Sequence, residues 1–305
     1  MNHPQDRFAT HRLWSALRAG LLCVVALLGS MPALADGGGR HTFWEVTGKH
    51  NRLWLLGSIH VLQDADSALP QVAMNAYADA EAIVEEIDLN AAMADLLGGG
   101  AAKLQLLPEG QTLAGVLGRE LYARLQQEAG KLGIDVEILS RLQPWYAAMQ
   151  VQQQQLMLNG FNPLSGVDMQ IALRAQGDGK PLQGLETVSD QLGLFAELSM
   201  DEQREMLRSI LDEKDPMTQL RGIVAAWRNG DTAALEKELR KGAEESPVLF
   251  RKLTTERNLR WLPQIEKMLQ DPKDDYLVVT GALHMVGRDG LVELLRRKGY
   301  RVEQK

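Results

Sequence analysis

Two histidines of this chain could share one chemical site, because each follows an apolar run and a glycine with the same spacing. The pattern is a buried strand and then Gly-x-x-His, with Gly57 and His60 in the first copy and Gly281 and His284 in the second. Such runs are typical of strands in a parallel sheet, and α/β folds place their sites at the carboxyl ends of those strands. The other four of the six histidines lie within the first 50 residues. We therefore expect the His60 and His284 imidazoles to meet at one edge of a sheet.

Acidic residues on two further predicted strands could join the histidines. The strand at residues 82–87 contains Glu85 and Glu86, whose side chains point to opposite faces, so at most one of them is expected in the site. Glu186 follows a strand at residues 180–185. Imidazoles and carboxylates suit zinc, manganese or cobalt, and a bound ion would activate water for hydrolysis. The residues also leave a metal-free alternative open, in which one histidine is a general base oriented by a glutamate.

The elements that must position these residues are predicted as strands near both ends of the chain with helices between them. Two strands joined by a polar turn are expected before the first Gly-x-x-His, and a short strand is expected after the last helix. Apolar residues recur at helical spacing over much of residues 91–165 and 189–269. The predicted fold class is α/β, a mixed sheet built from N-terminal and C-terminal Gly-x-x-His halves that enclose a large helical insertion. Residues 36–305 are expected to form this domain.

Residues 1–35 have the features of a secretory signal peptide. Three arginines precede a ten-residue apolar core, and Ala33-Leu34-Ala35 offers a cleavage site. The apolar core is too short to span a bilayer comfortably, and an uncleaved membrane anchor is the alternative. We therefore expect a protein exported to the periplasm or the extracellular space, with no membrane span after cleavage.

The composition of the exported part argues against several classes of protein. Removal of residues 1–35 takes away three arginines and one aspartate, so the formal charge falls from −7 to −9. So acidic a chain is not expected to bind nucleic acid. Cys23, the single cysteine, is removed as well, which leaves no disulfide and no thiol nucleophile. The sequence lacks His-Glu-x-x-His, so a metal site here would not be of the zincin type.

A series of short motifs, in fixed order along nearly the whole exported part, carries a family resemblance. They are Leu-Leu-Gly-Ser-Ile-His, Val-Glu-Glu-Ile-Asp-Leu, Leu-Pro-Glu-Gly-Gln-Thr-Leu, Gln-Pro-Trp, Gly-Val-Asp, Gly-Leu-Glu-Thr, Arg-Asn-Leu-Arg-Trp and Gly-Ala-Leu-His-Met-Val-Gly. In these motifs the chain resembles the TraB/GumN family, which includes the TIKI and PrgY-type proteins. The resemblance implies an α/β core similar to the erythromycin-esterase and ChaN-like group.

The resemblance also implies an activity and a set of metal ligands. TIKI-type members are metal-dependent proteases of extracellular peptides, and the corresponding positions here are His60, His284 and glutamates. The family's acid aligns with Glu86 rather than Glu85. A divalent metal ion, Mn, Co or Zn, would accordingly be held by His60, Glu86, Glu186 and His284.

Arg257 and Asn258 match the Arg-Asn motif of the family. By position, the resemblance implies that they contact the substrate carbonyl or support the residues that do. The alternative for Arg257 is an ion pair with Glu186 or Asp168, because buried arginines are normally paired.

These observations predict an exported metal-dependent hydrolase, specifically a peptidase, whose partner is an extracytoplasmic peptide or protein. One alternative is a non-catalytic peptide-binding or regulatory protein of the pheromone-shutdown type, with an apolar groove in the helical insertion. A second alternative is a metal-free hydrolase of small esters.

Overall fold

The computed structural model describes residues 39–213, 215–245 and 247–305. The predicted signal peptide, residues 1–35, lies outside the described residues, so its boundary stays a prediction. The strands are β1 (Phe43–Thr47), β2 (Arg52–Ser58), β3 (Leu62–Gln63), β4 (Ala82–Ile87), β5 (Phe161–Asn162), β6 (Leu182–Glu186), β7 (Tyr276–Gly281) and β8 (Arg301–Gln304).

Helices fill most of the remaining chain. They are α1 (Gln71–Asp79), α2 (Leu89–Gly98), α3 (Gly100–Leu104), α4 (Leu113–Lys131), α5 (Val136–Leu139), α6 (Pro144–Leu158), α7 (Val167–Asp178), α8 (Val188–Ala196), α9 (Met200–Asp212), α10 (Pro216–Arg228), α11 (Thr232–Glu245), α12 (Pro247–Leu253), α13 (Thr255–Met268), α14 (Ala282–Met285) and α15 (Leu291–Arg297). None of the helices in the described ranges is long and apolar enough to cross a membrane.

Six strands form one mixed sheet in the order β6-β4-β7-β2-β1-β8. Strands β6, β4, β7 and β2 run parallel, whereas β1 pairs antiparallel with both β2 and β8. Strands β3 and β5 form a separate antiparallel pair. The predicted α/β class with a mixed sheet is confirmed.

The central strands are composed mainly of apolar residues and are buried on both faces. Every residue of β2 after its first is buried, and β4 and β7 are buried over all but their last residue. A strand covered on both sides in this way is expected in a parallel sheet. The terminal strands β6 and β8 are more exposed, as sheet edges usually are.

The core is divided between the sheet and a group of helices. The first hydrophobic cluster joins sheet residues such as Leu55 and Val278 to Ile171 of α7 and Trp261 of α13. The second cluster is built largely from α4, α6 and α9, with leucines of α4 as its main stripe. Helices α7 and α13 are therefore the ones whose packing against the sheet positions the residues described next.

Candidate functional site

Three parallel strands bring the predicted site residues to one edge of the sheet. Strand β7 lies between β4 and β2, and Ser58 at the end of β2 pairs in register with Gly281 at the end of β7. His60 follows β2, and His284 lies in the short helix α14 that follows β7. The two imidazoles therefore lie at the same carboxyl edge.

Gly281 provides the space in which these side chains meet. A Cβ atom added there would lie 3.4 Å from Glu86 Oε1, 3.4 Å from His284 Cδ2 and 3.8 Å from His60 Nε2. The Gly281 N–H donates to Glu86 Oε1 at 2.7 Å. Gly57 has a structural role, because a Cβ atom added there would lie only 2.4 Å from Thr42 Cγ2 and would clash with it. Of the two motif glycines, Gly281 thus shapes the site.

His284 is held as a neutral ring in one tautomer. The Asn258 amide nitrogen donates to the carbonyl oxygens of His284 and Asp289, at 3.2 and 2.8 Å, which leaves Asn258 Oδ1 to accept from His284 Nδ1 at 2.7 Å. The proton is therefore on Nδ1 and the lone pair on Nε2. Burial lowers the pKa of His284 to about 3 against the opposing attraction of Glu86, and Arg257 lowers it further.

Arg257 of α13 lies among the acids and His284 with all of its donors engaged. Its Nε and Nη2 donate to Glu186 Oε1 at 3.0 and 2.6 Å, and Nη2 also donates to Glu86 Oε2. Its Nη1 donates to the Leu253 carbonyl and to His284 Nε2, each at 3.1 Å. A guanidinium has five N–H groups, so none is left for a substrate carbonyl. The ion pair with Glu186, considered as the alternative from the sequence, is present.

Glu86 is an ionised carboxylate fixed on both oxygens. Besides the Gly281 N–H and Arg257, its Oε2 accepts from the Gln191 amide at 2.9 Å. Burial opposes its charge, but the Arg257 guanidinium, the His60 imidazolium and the Gly281 N–H outweigh burial and hold the pKa of Glu86 well below its usual range, at about 2. Glu86 therefore keeps its charge and its position at neutral pH.

His60 differs from His284 in its partner and in its exposure. Its Nδ1 lies 3.1 Å from Asp168 Oδ2, and 61% of its side chain is exposed. Asp168 lies in the first turn of α7, which is docked beside His60 because the Val167 N–H donates to the Ile59 carbonyl at 3.0 Å. The Asp168 charge outweighs desolvation and raises the pKa of His60 to about 10. His60 is thus an imidazolium whose Nε2 faces the space over Gly281.

A cavity of about 190 Å³ opens at this edge of the sheet. Its polar lining residues are Ser58, His60, Glu85, Glu86, Asp168 and Gln191. A larger cavity of about 480 Å³ near Arg288 contains none of the predicted site residues. Another cavity, of about 340 Å³, is lined by Asn258, whereas the 190 Å³ cavity is the one lined by His60 and Glu86.

The presence of Glu85 in this cavity corrects the expectation that only one of the two adjacent glutamates belongs to the site. Glu85 and Glu86 do leave β4 on opposite faces, but the cavity opens around the strand ends, where side chains from both faces reach it. Burial, followed by the charge of Asp168, raises the pKa of Glu85 to about 9. Glu85 is consequently a protonated acid next to an ionised one.

The predicted metal shell is not assembled in this arrangement. Among residues 39–213, 215–245 and 247–305, no three His, Cys, Asp or Glu side chains are grouped so as to hold a metal ion. Glu86, Glu186 and His284 each contact the Arg257 guanidinium, which is itself a cation. The residues do not fit a metal ion while Arg257 holds this position, and a bound divalent ion stays a prediction.

The structure also brings in residues that the sequence did not assign to the site. Asp168 was considered only as a partner of Arg257, yet it pairs with His60; its place in the Gly-Val-Asp motif was the available signal. Gln191, which donates to Glu86, lies in no motif. Asn258 contacts His284 rather than the 190 Å³ cavity, so it acts through the histidine.

Comparison with known proteins adds a family and several relatives. The model of the family described as TraB/PrgY/gumN family matches residues 42–304. The chain is 25% identical over 285 residues to the uncharacterized protein YbaP of Shigella flexneri, covering 93% of this chain and 97% of that protein. It is 22% identical over 320 residues to metalloprotease TIKI2 of Xenopus tropicalis, covering 85% of this chain and 59% of that protein. No solved structure matches.

Proposed function

The chain belongs to the TraB/PrgY/gumN family, and from this premise we propose that it is an exported hydrolase that cleaves peptides. Similarity to a relative named a metalloprotease supports hydrolysis of peptide bonds. The basic, apolar and Ala-Leu-Ala features of residues 1–35 support export. The single observation that carries the proposal is the convergence of His60 Nε2, Glu86 Oε1 and the His284 ring over Gly281.

In the proposed reaction, Glu86 is the general base and His60 is the general acid. A water molecule there would give its proton to ionised Glu86 while its oxygen attacks the substrate carbonyl carbon. The C–N bond then breaks as the His60 imidazolium donates the Nε2 proton to the leaving nitrogen. The two shifts keep Glu86 ionised and His60 protonated at neutral pH, which are the states that these roles require. His284 and Arg257 position Glu86 in this scheme and do not touch the substrate.

Metal dependence belongs to the proposal as a property to be measured. Mn, Co or Zn bound by His60, Glu86, Glu186 and His284 would supply Lewis-acid activation of water. Such binding requires Arg257 to leave its present partners, and the acid–base roles above are assigned without it. Retention of cleavage in the presence of a chelator would instead favour the metal-free hydrolase.

The test is digestion of a peptide library by the exported protein, with a chelator and with each added metal. His60→Ala and Glu86→Gln should each lower the cleavage rate by about a hundredfold or more. His50→Ala is the matched control, because His50 is exposed in the turn between β1 and β2. The mass of the exported form, measured by mass spectrometry, should correspond to residues 36–305. Equal cleavage by wild type and His60→Ala would reject the proposed site.

A non-catalytic peptide-binding protein is the second candidate, and one observation favours it. All five Arg257 donors and the His284 Nε2 lone pair are engaged within the protein, as in a site built for rigidity. If every peptide is recovered intact under each metal condition while binding is measurable, this candidate replaces the hydrolase.

A further inference from the structure

Three buried polar atoms around the 190 Å³ cavity have no hydrogen-bond partner among the described residues. They are Ser58 Oγ, Glu85 Oε1 and Asp168 Oδ1. Ser58 is only 2% exposed and Glu85 only 5% exposed. Buried polar atoms are normally paired with protein, water or ligand. Three such atoms lining one cavity therefore indicate a polar group that enters it.

The chemistry of the three atoms specifies the entering group. The Asp168 oxygen and the serine hydroxyl can accept hydrogen bonds, and the protonated Glu85 becomes a full acceptor when it ionises. The nearest guanidinium, Arg257, has already used its five donors. His60 uses Nδ1 for Asp168 Oδ2, so Asp168 Oδ1 still lacks a donor. A cationic donor that enters the cavity would pair the Asp168 and Ser58 oxygens, and its charge would favour the ionised form of Glu85.

We propose that this cavity binds the primary ammonium group of a peptide, with Glu85, Asp168 and Ser58 accepting its three N–H donors. The inference rests on the proposed function and narrows its substrates to peptides that carry an accessible ammonium. An ammonium matches three acceptors in number, and its charge favours the ionised form of Glu85, so binding is accompanied by release of the Glu85 proton. The volume corresponds to roughly six waters at about 30 Å³ each, which accommodates an ammonium and its first carbon atoms.

The position of the ammonium also relates it to the reaction. Asp168 pairs with His60 through Oδ2, and its Oδ1 is unpaired. A bound ammonium and the His60 imidazole would therefore contact the two oxygens of the same carboxylate. The ammonium can come from the amino terminus of a peptide or from a lysine side chain. Both have the same chemistry at the cavity, and acetylation of the amino terminus distinguishes them.

The experiment measures binding by calorimetry with three short peptide amides. The probes are tetra-alanine with a free amino terminus, its acetylated form, and an acetylated form with lysine at the second position. Wild type should bind the first probe and not the second; binding of the third identifies a lysine side chain as an accepted source. Glu85→Gln, which keeps the side-chain shape, and Ser58→Ala should each weaken ammonium binding, by about tenfold or more for Glu85→Gln.

The control variant is Glu120→Gln, which changes an exposed acid on α4 and should bind as wild type does. Circular dichroism verifies that each variant is folded, and Ser58→Ala keeps the test decisive if Glu85→Gln does not fold. Equal binding of acetyl-tetra-alanine, no binding of any probe, or wild-type affinity in the folded variants would overturn the inference. Ammonium-dependent binding of peptides that are recovered intact would support it while rejecting hydrolysis.

Discussion

Replacement of Arg257 by glutamine should cost about 3–5 kcal/mol of the free energy of unfolding. The Arg257 side chain is 8% exposed, and its partners Glu86 and Glu186 are 9% and 4% exposed. Removing the guanidinium takes the buried cation from Glu86 and leaves Glu186 with only the half-exposed Arg260, and breaking a buried ion pair in this way is costly. Loss of the stacking of Arg257 over Trp261, at 4.6 Å from the ring centroid, adds to the same effect.

Arg260→Gln is the matched control, because both arginines face the same carboxylate. Arg260 Nη2 lies 3.6 Å from Glu186 Oε2, but its side chain is 48% exposed. An exposed ion pair contributes about 1 kcal/mol or less, because water and salt screen it. The two substitutions should therefore differ by at least about 2 kcal/mol, and the difference isolates the effect of burial.

The assay is urea unfolding of both variants and wild type, followed by tryptophan fluorescence at neutral pH. A lower midpoint with an unchanged slope indicates a loss of stability rather than a changed unfolded state. If Arg257→Gln loses no more than Arg260→Gln, the guanidinium is not the buried cation that the structure describes.

The pH dependence of the same difference provides a second check. Folding lowers the pKa of Glu86 from 4.5 to about 2, so the stabilisation by its ionised form is present above 4.5 and is lost as the pH falls through about 2. The gap between wild type and Arg257→Gln should consequently narrow over this interval. If the difference in unfolding free energy between wild type and Arg257→Gln stays constant over this interval, the ionised form of Glu86 is not the partner of Arg257.

Four further substitutions test the two histidine partners and two glycines. Asp168→Asn should lower the pKa of His60 from about 10 towards 6.5 in an NMR titration, and an unchanged value would exclude the pair. Since folding raises this pKa, the pair stabilises wild type fully below 6.5, and its contribution disappears as the pH rises through 10. Asn258→Leu should cost about 1–3 kcal/mol in urea unfolding, because it leaves a buried imidazole N–H unpaired. Gly222→Ala, inside α10 with no atom within 4 Å of the added Cβ, should stabilise by about 0.5–1 kcal/mol. Gly118→Ala should instead destabilise by about 1–2 kcal/mol in the same assay, because its φ is +75°.

The sheet could be predicted from the sequence because its central strands consist mainly of apolar residues. Strands β2, β4 and β7 stand out as short apolar runs, and the polar turn between β1 and β2 marks their antiparallel pairing. Strands β3 and β5 could not be found, because two residues are too few to show a period.

The site could be predicted only in part, because some of its residues are positioned by contacts between elements that are distant in the sequence. Two Gly-x-x-His copies on parallel strands place His60 and His284 at one edge. The central position of Arg257 depends on how α13 packs, 171 residues along the chain from its partner Glu86. Likewise, the alternation of side chains along β4 predicts that Glu85 lies outside the site. The structure differs because the cavity lies at the end of β4, where side chains from both faces of the strand line it.

The two copies of Gly-x-x-His have the same spacing but opposite electrostatic surroundings, which argues against equal roles. His60 is exposed, paired with Asp168 and protonated, whereas His284 is buried, neutral and held between Asn258 and Arg257. Only a group that reaches the substrate and carries a transferable proton can act as the acid, and His60 alone of the pair meets both conditions. His284 accepts from Arg257 and so helps to keep the guanidinium against Glu86. The duplicated motif therefore provides a proton donor, His60, and a second histidine, His284, that helps to position the base Glu86.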